Sequence, residues 1–316
     1  MLDVVALGEL LIDFAPQSVN ESGYPTLAAN PGGAPANFLA ALNQYGFKTA
    51  MIGKVGDDLF GRLLVQTLGE AGIDARGVAV DPDVFTTLAF VSLDESGNRD
   101  FSFARKPGAD TCLKPEEIDE ALIADARVFH FGTLSLTDEP AASATRRAIE
   151  LARAHGLLVS VDPNLRKPLW PDETAAKAAI EWSLRQADVI KISDEEIEFL
   201  WGLTPEAGAK KLLEEYGASL VYATLGPKGC YAANRAHAVS VEAPSGIRVL
   251  DTTGAGDIFG GSAMSRLLRC GKAPSDLTAE ELEEIVRFAC TAASLSTQKH
   301  GGITSVPGEE EVEARL

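Results

Sequence analysis

Short apolar runs alternate along the chain with longer stretches in which apolar residues recur every three or four positions. Val4–Gly8 and Leu11–Phe14 are of strand length. Pro35–Tyr45 has a helical period, with Pro at its first turn and Gly46 just past its end. Asp57–Ala71, opened by an acid and closed at Gly72, predicts a second helix, and Thr145–His155 before Gly156 another. Leu157–Asp162 and Asp188–Ser193 are short β-branched runs at the spacing of parallel strands between helices. Val221–Leu225, Cys230–Asn234 and Ala238–Val241 continue the series. Thr278 followed by Glu281 predicts a capping box opening a helix of about 20 residues through Phe288 to Ser294. Such alternation predicts an α/β fold, a mainly parallel central sheet with helices on both faces.

Thr86–Asp110 (TTLAFVSLDESGNRDFSFARKPGAD) breaks the rhythm. It reads as two strands joined by a turn at Glu95–Asn98, with Phe101 and Phe103 on one face. A hairpin between helical units would stand off the main sheet as a small β lid over about 86–106, and the irregular segment 15–29 could add to it. No repeat, low-complexity tract or linker divides the chain. Residues 1–316 therefore read as a single domain with an inserted lid.

Charge narrows the function. Lys plus Arg is 28 and Asp plus Glu is 46, a formal balance of −18 that argues against nucleic acid as a partner. It leaves room for a small phosphorylated ligand, because local cations and oriented amides can dominate a site. Cys112, Cys230, Cys270 and Cys290 are scattered without a C-x-x-C pair, as expected of thiols in a reducing compartment. The four histidines are dispersed and suggest no zinc site. MLDVVALGELLIDF lacks a basic leading region and reads as a first strand, and no apolar run is long enough to span a membrane. A cytoplasmic protein with no membrane partner is expected.

Candidate chemistry concentrates in two glycine-rich stretches. DTTGAGDIFGG (Asp251–Gly261) lies between a strand-like GIRVLD and a helix-period run, so its glycines fall at a helix N-terminus, where amides and the dipole favour an anion. Asp257 is electrostatically awkward there unless it is a plain N-cap or has a chemical task. The loop lacks G-K-[ST], and its G-x-G-x-x-x-G spacing is one residue too long for the dinucleotide fingerprint. NPGGAPAN (Asn30–Asn37) places Gly32 and Gly33 before a helix with Asn37 in its first turns, a setting suited to hydroxyl groups. Asp13 is expected to end the second strand, where open α/β sheets bind ligands, although an ordinary polar terminus reads the same way. GKVGDDLFG (Gly53–Gly61) reads as a structural turn and an acid-capped helix.

Together these stretches resemble the ribokinase-like, or phosphofructokinase-B, family of sugar kinases over essentially the whole chain. PGGAPAN with GKVGDDLFG resembles that family's N-terminal signature and DTTGAGD its C-terminal one. FSFARKPGAD, VDPNLRKPLWP and KISDEE look like its fructokinase branch. The resemblance implies an anion hole from the Gly254, Ala255 and Gly256 amides, with Asp257 as base for the sugar hydroxyl. It assigns hydroxyl binding to Asp13, Gly32, Gly33 and Asn37, and sugar contacts to Arg105 and Arg166, either of which could instead be an ion pair. Phe101 and Phe103 would line a closing lid.

At the nucleotide end, TLGPKG is similar to the family's ATP-phosphate turn, with Thr224, Gly226 and Gly229 in place, though a plain strand corner has the same composition. The family's N-x-x-E motif falls on Ser193 and Glu196, with Ser where Asn is usual, and Glu196 would reach Mg²⁺ through water. A K⁺ site would fall on Asp251, Thr253, Ser296, Lys299, Gly301 and Ser305. The implied reaction is ATP-dependent phosphorylation of a primary hydroxyl, D-fructose to fructose 6-phosphate. The rivals are 2-keto-3-deoxygluconate, ribose or a nucleoside as acceptor, or a non-catalytic sugar-binding regulator. An exposed lid edge could pair two copies into a homodimer.

Overall fold

A computed structural model describes residues 1–93 and 99–316, the side chains of 91–93 and 99–101 excepted. The turn expected at Glu95–Asn98 and the Phe101 side chain lie outside the described residues. In chain order the strands are β1 (Val4–Leu7), β2 (Leu11–Val19), β3 (Pro25–Gly32), β4 (Thr49–Gly56), β5 (Asp74–Asp81), β6 (Thr87–Leu93) and β7 (Arg99–Ala104). They continue with β8 (Val128–Gly132), β9 (Leu158–Asp162), β10 (Val189–Ser193), β11 (Leu220–Thr224), β12 (Cys230–Asn234) and β13 (Ala238–Val241). The helices are α1 (Ala34–Gln44), α2 (Leu59–Glu70), α3 (Glu120–Ala124), α4 (Ala141–Ala154) and α5 (Glu173–Leu184). After them come α6 (Asp194–Trp201), α7 (Pro205–Glu215), α8 (Ala255–Cys270), α9 (Ala279–Ser296) and α10 (Glu309–Glu313).

The main sheet has the order β13-β12-β11-β10-β9-β8-β1-β4-β5. It is parallel from β11 to β5, with β12 and β13 added antiparallel at one edge. Its strands are apolar on both faces because both are covered. On β1, Val5 and Leu7 pack with Ile149 of α4, Leu184 of α5 and Leu212 of α7. Val4 and Ala6 face the other way, toward Leu39 of α1, Leu68 of α2, Phe259 of α8 and Ile285 of α9. Continuous apolar runs of strand length are what such a two-sided burial selects.

A second sheet, β3-β2-β6-β7, stands apart from the first. The segment expected to be irregular is a hairpin with one register shift between Pro16 and Ser18: β2 runs on to Val19 and pairs antiparallel with β3 through Asp13↔Asn30. Its turn is closed by Asn20, whose side-chain oxygen accepts the amides of Ser22 and Tyr24. Polar, exposed residues over Gln17–Asn20 obscure this strand in the sequence, but backbone pairing needs no apolar side chains. Asp13 is consequently interior to a strand of the small sheet, not at the end of a main-sheet strand. GIRVLD is not a strand either. Its Val249 and Leu250 are exposed, and the Leu250 and Asp251 amides donate to the Thr297 carbonyl.

Candidate active site

The small sheet, the N-termini of α1 and α8, and the loop after β9 enclose a cavity of about 260 Å³. Asp13, Gly33, Asn37, Phe103, Arg166, Thr253, Gly254 and Asp257 all line it, together with Glu9 and Asn164. Residues from distant parts of the sequence thus converge on one cleft at strand carboxyl ends, the usual place for a ligand in an open α/β sheet.

Two glycines build the α1 side. Gly33 caps α1 at φ +124, and a Cβ there would lie 2.2 Å from the Glu9 carbonyl oxygen. Only glycine fits. A Cβ on Gly32 would come within 2.6 Å of Asp13 Oδ2, so the bare backbone lets the carboxylate close in. The Glu9 carboxylate accepts the Ala34 amide at 2.8 Å, at the positive end of α1. Burial pushes the Glu9 pKa up to about 7 against the pull of that hydrogen bond.

The α8 side answers the question about Asp257. The N-cap of α8 is Gly254, in the left-handed region at φ +75, and no side chain caps the helix. Asp257 is therefore not the N-cap. Its Oδ2 accepts a hydrogen bond from Asn37 Nδ2 at 2.8 Å, and its Oδ1 one from Asn164 Nδ2 at 3.1 Å. Two carboxamides thus fix the carboxylate at the cavity wall. Burial raises its pKa above the ordinary aspartate value, opposed by Asn37, Lys191, Arg166 and Asn164. The Ala255 amide turns back to the Thr252 carbonyl at 3.3 Å, whereas first-turn amides such as that of Gly256 have no carbonyl four residues back within the helix.

Arg105 is set differently from the sugar contact expected of it. Its guanidinium is buried, donating to Asp110 at 2.8 Å, Thr137 Oγ1 at 2.7 Å and the Leu134 carbonyl at 2.9 Å. It does not line the cavity. An acid five residues along the chain, together with a loop from another element, captures it once it is buried.

Beyond the cavity, Ser193 and Thr224 lie side by side at the ends of β10 and β11. The Ser193 hydroxyl accepts the Glu196 amide at 3.2 Å, and Glu196 Oε2 accepts the Ser193 amide at 2.8 Å. This capping box starts α6. Glu196 Oε1 also accepts the Leu165 amide at 2.7 Å, tying α6 to the Asn164–Arg166 loop. Gly226 and Gly229 have positive φ, and nothing lies within 4 Å of a Cβ built on Gly226. The turn is open at Gly226, whereas a Cβ on Gly229 would lie 2.0 Å from the Val241 carbonyl oxygen.

On the other flank the two Asp251 oxygens accept the Thr253 amide at 2.8 Å and the Gly301 amide at 3.1 Å, lacing the loops before α8 and after α9 together. Ser296 and Ser305 spend their hydroxyls on local carbonyls, Ala293 and Gly302. Lys299 points to Glu311, 3.7 Å away.

Four site residues escaped the sequence reading, Glu9 beside Gly33 among them. Asn164 stands at φ +47, a conformation that Asn tolerates, within the DPNLR stretch already singled out for its arginine. Lys191 and Asp162 form an ion pair at 2.8 Å beneath α8. A lone lysine inside the apolar strand VIKIS was the available signal.

Comparison with known proteins agrees with this architecture. The model of the family described as pfkB family carbohydrate kinase matches residues 1–309. Fructokinase-1 of Zea mays is 42% identical over 315 residues, 98% of this chain and 96% of that protein. Probable fructokinase-4 of Arabidopsis thaliana is 40% identical over 316 residues, 99% of this chain and 96% of that one. Fructokinase from Xylella fastidiosa with bound ATP superposes with a TM-score of 0.90 at 30% identity, over 99% of this chain and 98% of that chain. A double mutant of Vibrio cholerae fructokinase, with fructose, ADP and potassium ion bound, gives 0.88 at 31% identity, over 100% and 98%. With both glycine-rich signatures on the walls of one cleft, the chain belongs to the pfkB family of carbohydrate kinases.

Proposed function

We propose that the protein transfers the γ-phosphoryl group of ATP to the primary hydroxyl of D-fructose, giving fructose 6-phosphate and ADP. The observation that carries this reading is the Asp257 carboxylate, gripped by two carboxamides at the wall of a cavity and at the N-terminus of α8. Asp257 takes the proton of the attacking hydroxyl as its oxygen bonds to phosphorus and the bond to ADP breaks. The turn at Gly254, Ala255 and Gly256 faces the charge that develops on the phosphoryl oxygens, so base and anion hole serve different atoms. Asp13, Gly33 and Asn37 orient the sugar hydroxyls, with Gly32 admitting Asp13 to its place. Arg166 reaches the same cavity.

Fructose is favoured over 2-keto-3-deoxygluconate by the cavity's own chemistry. Among the described residues, Glu9 and Asp13 line it against the one cation Arg166, and Arg105 is engaged by Asp110, so two carboxyl groups beside a single arginine suit a neutral ketose better than an acidic sugar. The relatives named fructokinase, and the fructose in the Vibrio cholerae structure, point the same way.

ATP would lie along Thr224, Gly226 and Gly229, with Ser193 and Glu196 beside it. Mg²⁺ carried by ATP would neutralise phosphate charge, with Glu196 as the residue that would meet it through water. Among the described residues no cluster of three or more His, Cys, Asp or Glu could hold a metal, which suits an ion carried by the nucleotide and met by Glu196 through water. The lacing of two loops by Asp251 fits a K⁺ held by backbone carbonyls near Thr253 and Gly301. The small sheet closes over the sugar as a lid through Phe103, and its exposed Val19, Tyr24, Leu27 and Phe90 suit contact with a second copy. No helix among the described residues is long and apolar enough to cross a membrane. A cytoplasmic location belongs to the same reading.

The test is ADP release with ATP, Mg²⁺ and K⁺ over fructose, ribose, 2-keto-3-deoxygluconate, glucose and adenosine. Fructose should give the highest kcat/KM. A preference for another acceptor would retain the chemistry and overturn the pocket assignment. Silence with ATP still bound would favour a binding-only role.

A further inference from the structure

On the face of the main sheet under α1 and α8 a polar row runs among apolar neighbours, with Thr49 and Asn234 as further buried polar residues nearer the two edges. His130 on β8 is in register with Ser160 on β9, and Lys191 on β10 with Tyr222 on β11. Asp162, at the end of β9, completes the row with its 2.8 Å ion pair to Lys191. Around it the same face carries Val4, Ala6, Val128, Val189 and Leu220. A buried ion pair in such company is weak evidence of stabilisation, since apolar residues of the same volume commonly serve as well or better.

Its location is the second clue. A Cβ built on Gly256 would lie 3.1 Å from Lys191 Nζ, so the ammonium sits directly under the first turn of α8. A helix N-terminus repels a cation. Fold stability alone would not put one there; an anion above the turn would. Asp162, Lys191, His130, Ser160, Tyr222 and Asp257 also share the wall of an enclosed chamber of about 20 Å³. That is room for about one water and for no part of a sugar or nucleotide. The row thus adjoins Asp257 and its turn, and none of Asp162, Lys191, His130, Ser160 and Tyr222 lines the larger cavity.

We propose that Lys191, braced by Asp162, is a positioning residue that holds the Asp257 carboxylate charged and the α8 turn electropositive for phosphoryl transfer. The inference rests on the reading of Asp257 as the base. The groups that face Asp257 are Lys191 from β10, Asp162 from β9 and His130 from β8. Asn164 and Arg166 face it from the following loop and Asn37 from α1, while Glu196 of α6 acts on Asp162 and Lys191. Glu9 and Asp13 face it across the cavity. Burial drives the His130 pKa down to about 3, so it stays neutral through the working range, while burial raises Glu9 to about 7 and Asp162 to about 6, so the limb is read as a displacement from the parent.

The test compares kcat against pH for Lys191→Met and Asp162→Asn with fructose, ATP and Mg²⁺, alongside thermal unfolding and both KM values. Losing the cation should move the acid limb of kcat up by about one pH unit or more, with kcat at neutral pH reduced about tenfold and sugar KM little changed. Losing the anion leaves the cation less compensated and should move the limb the other way. Lys191→Arg should restore part of the first loss. A purely structural role would lower stability or activity in both variants without opposite displacements. Limbs of both variants within about 0.3 unit of the parent would overturn the proposal. Asp257→Asn separates the two claims: near-normal turnover there removes the base itself, whereas its loss with unmoved limbs removes only Lys191.

Discussion

Asn164→Gly isolates one hydrogen bond to the proposed base. Gly is the right replacement because Asn164 stands at φ +47, where Ala would add backbone strain of about 1–2 kcal/mol and confuse the result. The substitution removes the 3.1 Å donation from Asn164 Nδ2 to Asp257 Oδ1 and leaves the 2.8 Å donation from Asn37. A hydrogen bond to a charged group is worth about 1.5–3 kcal/mol. At about 1.4 kcal/mol per unit, its loss should raise the Asp257 pKa by about one to two units, since the donor stabilises only the carboxylate form. Burial already holds that pKa above the ordinary value, so the shift adds to an existing one. A base must be ionised to accept the proton, so activity should disappear earlier as pH falls. The acid limb of kcat, measured by ADP release at saturating sugar and ATP, should move up by that amount while the alkaline plateau changes about threefold or less. A uniform fall at every pH, with the limb in place, would refute the reasoning and leave Asn164 a loop-shaping residue.

Other outcomes follow from the same geometry. Arg105→Ala strips a buried carboxylate, Asp110, of its cation and should cost about 3–5 kcal/mol in denaturant unfolding, with sugar KM a secondary effect; a large rise in sugar KM at unchanged stability would return Arg105 to the pocket. Gly33→Ala must displace the Glu9 carbonyl from 2.2 Å and should destabilise the protein and raise sugar KM at least tenfold, whereas Gly226→Ala, with open space around it, should cost only about 1–2 kcal/mol. Equal effects at the two glycines, read by unfolding and by KM, would contradict the close packing at Gly33.

Much of this site was legible because its chemistry is local. Gly33 and Gly254 must be glycine for backbone reasons, and they lie beside Asn37 and Asp257 in short continuous motifs. The main-sheet strands were visible because two-sided burial makes them mostly apolar. What escaped was set by contacts distant in sequence. Lys191 meets Asp162 across neighbouring strands, 29 residues apart. The β2–β3 hairpin hid behind mostly polar exposed residues, and GIRVLD looked like a strand although it pairs with no strand among the described residues. Arg105 illustrates a different case: the motif marked it, and in this structure Asp110, Thr137 and the Leu134 carbonyl hold its donors.

The most direct test of the account is Asp257→Asn assayed for fructose 6-phosphate formation, with ATP binding measured on the same preparation. Turnover should fall by at least about 10² while ATP affinity stays near that of the parent, because a placed base contributes about that factor and the nucleotide turn is untouched. Near-normal turnover would show that Asp257 is not the base, and the proposed chemistry at the α8 turn would have to be abandoned.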